Sequence, residues 1–269
     1  MTDPLFGVVT AFGRPEFGFL ALAAESLSGL MRYHRGRLCG VQWIVALDAP
    51  GLRLGSDDPL DGWRYHRSRI LKVAGDAGLD VEIVVNDSPG GSTAARNAAL
   101  ALLRAPWMVT LDADDVVVAS GISTMLEAIE AVGGAEWAAG RCPNIGRDGG
   151  EIWAGPEDPF PPGLVEAGMF WEEKLRCGRL PFICAATLAS TRAVRSVGGW
   201  PSRPRPRGAD TALWAVLTSR YRGVWVPEVV YRYRRHSASV TMQPGFFDSD
   251  ERLDEIARMV AAGTTQILA

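Results

Sequence analysis

Lysine is nearly missing from this 269-residue chain: among its 28 basic residues only Lys72 and Lys174 are lysines. Arginine supplies the rest; its planar fork suits phosphate oxygens better than an ammonium does, though a compositional bias gives the same count. The 31 acidic residues outweigh the bases and leave a net charge of −3. Nothing in that balance calls for nucleic acid or an anionic membrane as partner. Cysteine is scarce too. Cys39, Cys142, Cys177 and Cys184 lie scattered with no C-x-x-C spacing, which argues against a zinc ribbon or a disulfide framework and predicts reduced core thiols. No apolar run is long enough to span a bilayer, and the opening Met-Thr-Asp-Pro lacks the basic-then-apolar profile of a secretory signal. A cytoplasmic location is the expectation.

What the chain has is a hydrophobic content of 47%, ample for a buried core in one large domain. Apolar strand-like runs at 5–10, 41–47, 81–85 and 107–111 alternate with helical stretches at about 15–33, 62–77 and 91–104. Such alternation predicts an α/β fold with a mostly parallel sheet, whose ligand crevice lies beyond the carboxyl ends of the strands. Asp48, Asn86 and Asp112 fall at those ends. Beyond Gly140 the texture shifts: residues 141–180 are rich in Gly and Pro and predict an irregular lobe, so the chain divides into a 1–140 half and a 141–269 half of one domain. A strand is expected within 182–189, a helix at 211–220, and short strands at 224–226 and 229–231. Leu253, Ile256, Ala257 and Val260 sit at helical spacing near the C-terminus, as in a helix that docks on the core or joins a second copy in a homo-oligomer.

Three aspartates, Asp112, Asp114 and Asp115, crowd the end of the fourth strand. Like carboxylates repel and lose solvation at a sheet end, so the cluster persists most easily around a cation. In an extended segment Asp112 and Asp114 would share a face and Asp115 would point away. Mg²⁺ or Mn²⁺ takes one or two carboxylates and completes its shell with water and phosphate oxygens, which suggests a metal-bound diphosphate. A turn whose aspartates cap the next helix is the other reading of the same residues.

Taken together, the motifs resemble the family-2 glycosyltransferases of GT-A fold over roughly residues 5–240. Gly7 to Glu16 is similar to the family's opening strand and turn, and Gly91 to Leu100 to its G-x-x-x-A-R-N-x-x-L helix. Asp112-Ala113-Asp114 matches its D-x-D motif, Val197 to Trp200 its "vGGf" turn, Asp210 to Trp214 its D-x-x-L-W segment, and Tyr231 to Ser239 its Y-R-x-H-x-x-S segment. A lone D-x-D is weak; the ordered set is specific.

The resemblance implies an inverting, metal-dependent transfer of a sugar from a UDP-, GDP- or dTDP-sugar to a small-molecule or glycan acceptor. Thr10, Ala11 and Phe12 would line the base and ribose pocket, with Arg14 and Glu16 at its edge. Asp48 would accept a hydrogen bond from the nucleobase, or else simply open a turn. Arg96 would reach the nucleotide or hold the aspartate loop. Asp112 and Ala113 would lie against the donor, Asp112 and Asp114 would meet the Mn²⁺ or Mg²⁺, and His236 would be a third ligand. Arg234, with Arg235, would clamp the diphosphate. Asp210 would take the acceptor proton as general base; the residue also fits an N-cap.

Two departures stand out. Ala209 replaces the acid that usually precedes the base, which admits a catalytically weak sugar-nucleotide-binding protein as the alternative. Asp48-Ala49-Pro50-Gly51 replaces the usual pair of acids, and the basic stretch Arg203 to Arg207 before the base could meet an anionic acceptor or lie in solvent. A haloacid-type phosphatase would carry D-x-D in its first strand, and a nucleotidyltransferase would need a Gly-rich loop with Arg and Lys after that strand. Neither is present.

Overall fold

The computed structural model describes residues 4–13, 17–33, 40–48, 59–86, 91–155, 157–201, 208–239 and 253–266. Arg14, Glu16 and the stretch from Arg203 to Arg207 lie outside the described residues.

The first half alternates strand and helix: β1 (Pro4–Phe12), α1 (Phe17–Tyr33), β2 (Gly40–Asp48), α2 (Pro59–Asp76), β3 (Val81–Asn86), α3 (Gly91–Leu102) and β4 (Trp107–Thr110). Strands β3, β2, β1 and β4 pair in that order, all parallel. Their sequence shows why. Phe6, Val8 and Phe12 enter one apolar cluster while Val9 enters the other, and Trp43, Val45 and Leu47 oppose Ile44 and Ala46 in the same way. A strand buried on both faces must be apolar throughout, hence the continuous runs that marked these strands in sequence. Helices α1 and α2 cover one face and α3 the other.

After the aspartates come β5 (Val116–Val117), α4 (Ala119–Val132), β6 (Trp137–Arg141), β7 (Asn144–Ile145), β8 (Glu151–Trp153), β9 (Gly163–Val165), α5 (Met169–Cys177), β10 (Thr187–Ser190) and α6 (Thr191–Ser196). The chain continues with α7 (Ala209–Arg220), β11 (Gly223–Val229), β12 (Tyr231–Arg234) and α8 (Leu253–Ala262). The main sheet extends from β4 through β10, β6, β11 and β9, so strands from both halves of the chain share eight-stranded sheet hydrogen bonding. A second sheet, β5-β12-β7-β8, lies beside the carboxyl end of β4.

Several expectations change in detail. The strand expected across 182–189 is only β10, because Ala186 and Thr187 donate to Ile183 and Ala185 and bend the preceding segment into turns. Residues 224–229 form one strand, with its register shift between Val226 and Val229, where Pro227 cannot donate. The lobe at 141–180 holds β7, β8, β9 and α5, and β9 closes an edge of the main sheet. Helix α8 docks on α7, but through Ile256 and Met259, while Leu253 is exposed. Of the thiols, Cys142 and Cys184 are buried as expected, whereas Cys177 is exposed.

Glycine is required where α4 meets the second sheet. A Cβ on Gly121 would stand 2.3 Å from the Val229 carbonyl oxygen, so the helix rides directly on the β11–β12 junction. That contact seats β12 under the aspartate turn.

Candidate active site

Strand β4 ends at Thr110, and Leu111 makes one more sheet bond, its N–H to the Val9 carbonyl at 3.0 Å. The chain then turns, closed by the Asp115 N–H on the Asp112 carbonyl at 3.1 Å. The extended geometry expected from sequence is therefore replaced by a turn, and Asp115 swings inward until it is fully buried. Its Oδ1 accepts the Arg234 backbone N–H at 2.6 Å, and the Asp112 N–H donates to the Tyr231 hydroxyl at 3.0 Å. Strand β12 thus grips the turn from below.

Arg234 strengthens that grip. It is buried; Nε donates to the Asp114 carbonyl at 2.8 Å and Nη1 to the Gly146 and Arg147 carbonyls at 3.0 and 3.2 Å. Its guanidinium also lies 4.9 Å from the Phe19 ring centroid. These bonds place Arg234 as a brace between the aspartate turn and the β7–β8 hairpin, unlike the clamp expected from sequence.

The carboxylates feel one another. Burial pushes Asp115 well above the ordinary aspartate range and the Asp112 and Asp114 charges add to it, while the Arg234 and Tyr231 hydrogen bonds pull the other way. Asp114 is raised by burial and by Asp112, with His236 opposing. His236 Nε2 stands 2.9 Å from Asp114 Oδ2, and its ring packs 4.8 Å from that of Phe19.

Arg96, on α3 and 7% exposed, joins two distant segments. Nη2 donates to Asp112 Oδ1 at 2.6 Å and Nη1 to Asp210 Oδ1 at 3.2 Å. Burial works to lower the Arg96 pKa, but the Asp210 and Asp112 charges raise it beyond its usual value, so the guanidinium stays charged. Asp210 lies in the first turn of α7, two positions after Gly208, which takes the N-cap position in an αL conformation. The capping role its sequence allowed is not the one it plays. Its Oδ1 also accepts the Trp200 indole N–H at 2.8 Å, and the side chain remains 47% exposed.

The remaining expected residues sit at the carboxyl ends of β1 and β2. Thr10 is fully buried and its Oγ1 accepts the Trp43 indole N–H at 3.0 Å; Phe12 is buried in the core. Neither side chain is open to a ligand, which leaves their backbone and the half-buried Ala11 on that edge. Asp48 is half-buried; burial raises its carboxyl and an Asn86 hydrogen bond lowers it. Ala113 packs against the core cluster.

A divalent ion has a partial fit here. Among the described residues no group of three or more His, Cys, Asp and Glu side chains is arranged to hold a metal ion, since Asp112 Oδ1 is turned to Arg96. The Asp114 and His236 donor atoms are 2.9 Å apart, close to the roughly 2.9 Å between neighbouring corners of an octahedron with 2.0–2.1 Å bonds. Two protein donors suit an ion that takes its other ligands from water and phosphate.

Asn97, Tyr231 and Trp200 entered the sequence analysis only as members of motifs, and Phe19 not at all. Asn97 pairs with the backbone of Trp200 in both directions, Nδ2 to its carbonyl and Oδ1 from its N–H, each at 2.9 Å. The signal was present: Arg96 and Asn97 are adjacent, and on a helix they reach two neighbouring segments of the same site.

A mixed sheet of this order, with paired carboxylates beyond its parallel strands, defines a GT-A fold. Residues 62–185 match the family described as glycosyl transferase family 2. Two similar solved structures are of S. aureus TarS 1–349, one in complex with UDP-GlcNAc (TM-score 0.62, 13% identity, 98% of this chain and 66% of that one) and one with UDP (0.60, 13%, 98% and 65%). A mannosyltransferase, PcManGT from Pyrobaculum calidifontis in complex with GDP-Man and Mn²⁺, is similar at TM-score 0.52 and 15% identity, over 85% of this chain and 56% of that one. This chain therefore spans about two thirds or less of the length of those solved chains. A comparison with curated proteins finds no match. The family match thus runs from α2 to the segment before β10, and the likeness to the solved structures shows a shared fold. Among its described residues, no helix is long and apolar enough to cross a membrane.

Proposed function

We propose that this protein transfers a sugar from a nucleotide-diphosphate donor to an acceptor hydroxyl with inversion, and that Asp210 is the general base. The observation that carries the reading is Arg96, which holds Asp112 and Asp210 on one buried guanidinium. The aspartate turn and a carboxylate 98 positions later thereby become parts of one site. Asp210 has the properties of a base: its hydrogen bonds to described residues, from Arg96 and Trp200, fall on Oδ1, and nearly half of its side chain faces solvent.

In the reaction the acceptor oxygen attacks the anomeric carbon, forming the new glycosidic bond as the bond to the donor diphosphate oxygen breaks. The bonding pair leaves with the nucleoside diphosphate, and the hydroxyl proton passes to Asp210. One displacement inverts the anomeric centre. Asp112 and Asp114 stand where the donor would lie, Arg234 and Tyr231 brace their turn, and Asp48 would face the nucleobase as an acceptor. Mn²⁺ or Mg²⁺ on Asp114 and His236 would neutralise charge growing on the leaving diphosphate; the imidazole favours Mn²⁺. The solved relatives described with UDP, UDP-GlcNAc, GDP-Man and Mn²⁺ support a UDP- or GDP-sugar as donor.

The test is release of UDP or GDP from a panel of UDP- and GDP-sugars in Mn²⁺ or Mg²⁺. We expect release that depends on the ion and is lost in Asp114→Ala. Ion-independent release, or release unaffected by Asp114→Ala, sinks the metal assignment.

A further inference from the structure

The turn that carries Trp200 is gripped from a part of the chain far from the reacting atoms. Between α6 and α7 the backbone passes through Gly198 and Gly199 at φ 95° and 68°, a left-handed path that suits glycine. Every carbonyl from Val197 to Trp200 is engaged by the three residues after Gly263. The Thr265 N–H and Oγ1 donate to the Val197 carbonyl at 2.8 and 3.1 Å, and Oγ1 also stands 2.8 Å from the Gly199 carbonyl. Thr264 Oγ1 lies 3.3 Å from the Val197 carbonyl. Gln266 Nε2 donates to the carbonyls of Gly198 and Trp200, each at 2.9 Å. Thr265 is 2% exposed, so these bonds are shielded from water.

On its other side the turn is held by Asn97 from α3, and the fit is tight. A Cβ on Gly198 would meet Gln266 Cγ at 2.8 Å, and one on Gly199 would meet Asn97 Oδ1 at 2.6 Å. A backbone fixed from two sides leaves the Trp200 indole little freedom, and the ring is 1% exposed beneath the Arg96 guanidinium, 5.8 Å from its centroid. A buried indole N–H needs an acceptor. It finds Asp210 Oδ1 at 2.8 Å, a shorter contact than the 3.2 Å from Arg96. Phenylalanine, the residue this turn has in the resemblance, has no such donor; here Ala209 also removes the acid that usually stands beside the base.

We propose that Trp200, with Thr265 and Gln266 behind it, is a positioning unit for Asp210. The C-terminal residues fix the Trp200 backbone, and the indole N–H fixes Oδ1 so that the remainder of the carboxylate faces the acceptor hydroxyl. The proposal rests on the reading of Asp210 as the base, and its test has an arm that does not.

The first arm follows the indole N–H of Trp200 by NMR in protein labelled at its nine tryptophans, the signal assigned by its loss in Trp200→Phe. Its hydrogen exchange should be slow in the parent and about tenfold faster in Asp210→Ala, Gln266→Ala and Thr265→Val. The second arm measures turnover of the donor that the nucleotide-release panel identifies. Trp200→Phe, which keeps the ring over Arg96, should lower kcat about tenfold with donor KM within about twofold; Gln266→Ala should lower it about three- to tenfold. The double variant should be no slower than Trp200→Phe alone, because Gln266 acts through that N–H. Parental exchange in both Gln266→Ala and Thr265→Val overturns the proposal, as does parental kcat in Trp200→Phe or multiplication of the two effects. If Gln266→Ala does not fold, Thr265→Val, which removes one hydroxyl, decides the same question. Parental turnover in Asp210→Asn instead overturns the base assignment, and exchange alone then judges the hydrogen-bond chain.

Discussion

Arg96 is the residue on which the site turns. Removing one partner of a buried ion pair costs about 3–5 kcal/mol, and because Asp112 and Asp210 are partly exposed we expect about 1–3 kcal/mol for Arg96→Ala by urea unfolding. Arg96→Lys should recover charge but not the fork, since one ammonium cannot hold two carboxylates on opposite arms. Asp48 offers a separate test through pH. Burial raises its carboxyl above the ordinary aspartate value, so the folded chain holds that proton more tightly than the unfolded chain does. The ionised group then costs stability that appears as pH rises from about 3.9 through the raised folded value, and the cost is absent below that window. Asp48→Asn should flatten unfolding free energy against pH just above about 3.9; an unchanged slope would show that the shift has another owner.

At the scale of elements, the parallel half was legible because its strands are apolar on both faces and end in polar residues. Helix α4 and strand β6 carried no expectation, although Ile122, Met125, Leu126 and Ile129 keep a helical stripe against the sheet. The short strands β7, β8 and β9 could not be read, since two or three residues show no period. The aspartate turn was legible in composition and misjudged in shape, because its form depends on Arg234 and Tyr231, more than a hundred positions away. Local pattern cannot report such contacts. Gly121 gives this scale its test: with a Cβ at 2.3 Å from a backbone oxygen, Gly121→Ala must push α4 from the β11–β12 junction. We expect about 1–3 kcal/mol of destabilisation by denaturant unfolding, although alanine favours helix. A neutral result would mean that α4 does not brace the turn.

For the whole molecule, the parallel sheet presents the edge proposed for the donor, and the mixed half delivers Asp210, Tyr231 and His236 to it. The motifs occur together because they touch: Arg96 meets Asp112 and Asp210, and Asn97 meets Trp200, which meets Asp210. Order along the sequence suggested a common site; only the sheet order explains why. Ligand binding should be visible as stability. UDP or GDP with Mn²⁺ at a hundred times its Kd adds about 2.7 kcal/mol to unfolding, and Asp114→Ala should abolish the metal-dependent part of the thermal shift. An unchanged metal response in that variant would move the ion elsewhere.

The most direct measurement compares the parent with Asp210→Asn, which keeps the shape and the Oδ1 acceptor but cannot take a proton. Transfer from the donor that the parent uses should fall by about 10²–10⁴-fold, while calorimetric binding of the nucleoside diphosphate with Mn²⁺ stays within about twofold. Transfer by Asp210→Asn at the parental rate would contradict the assignment of Asp210 as the base.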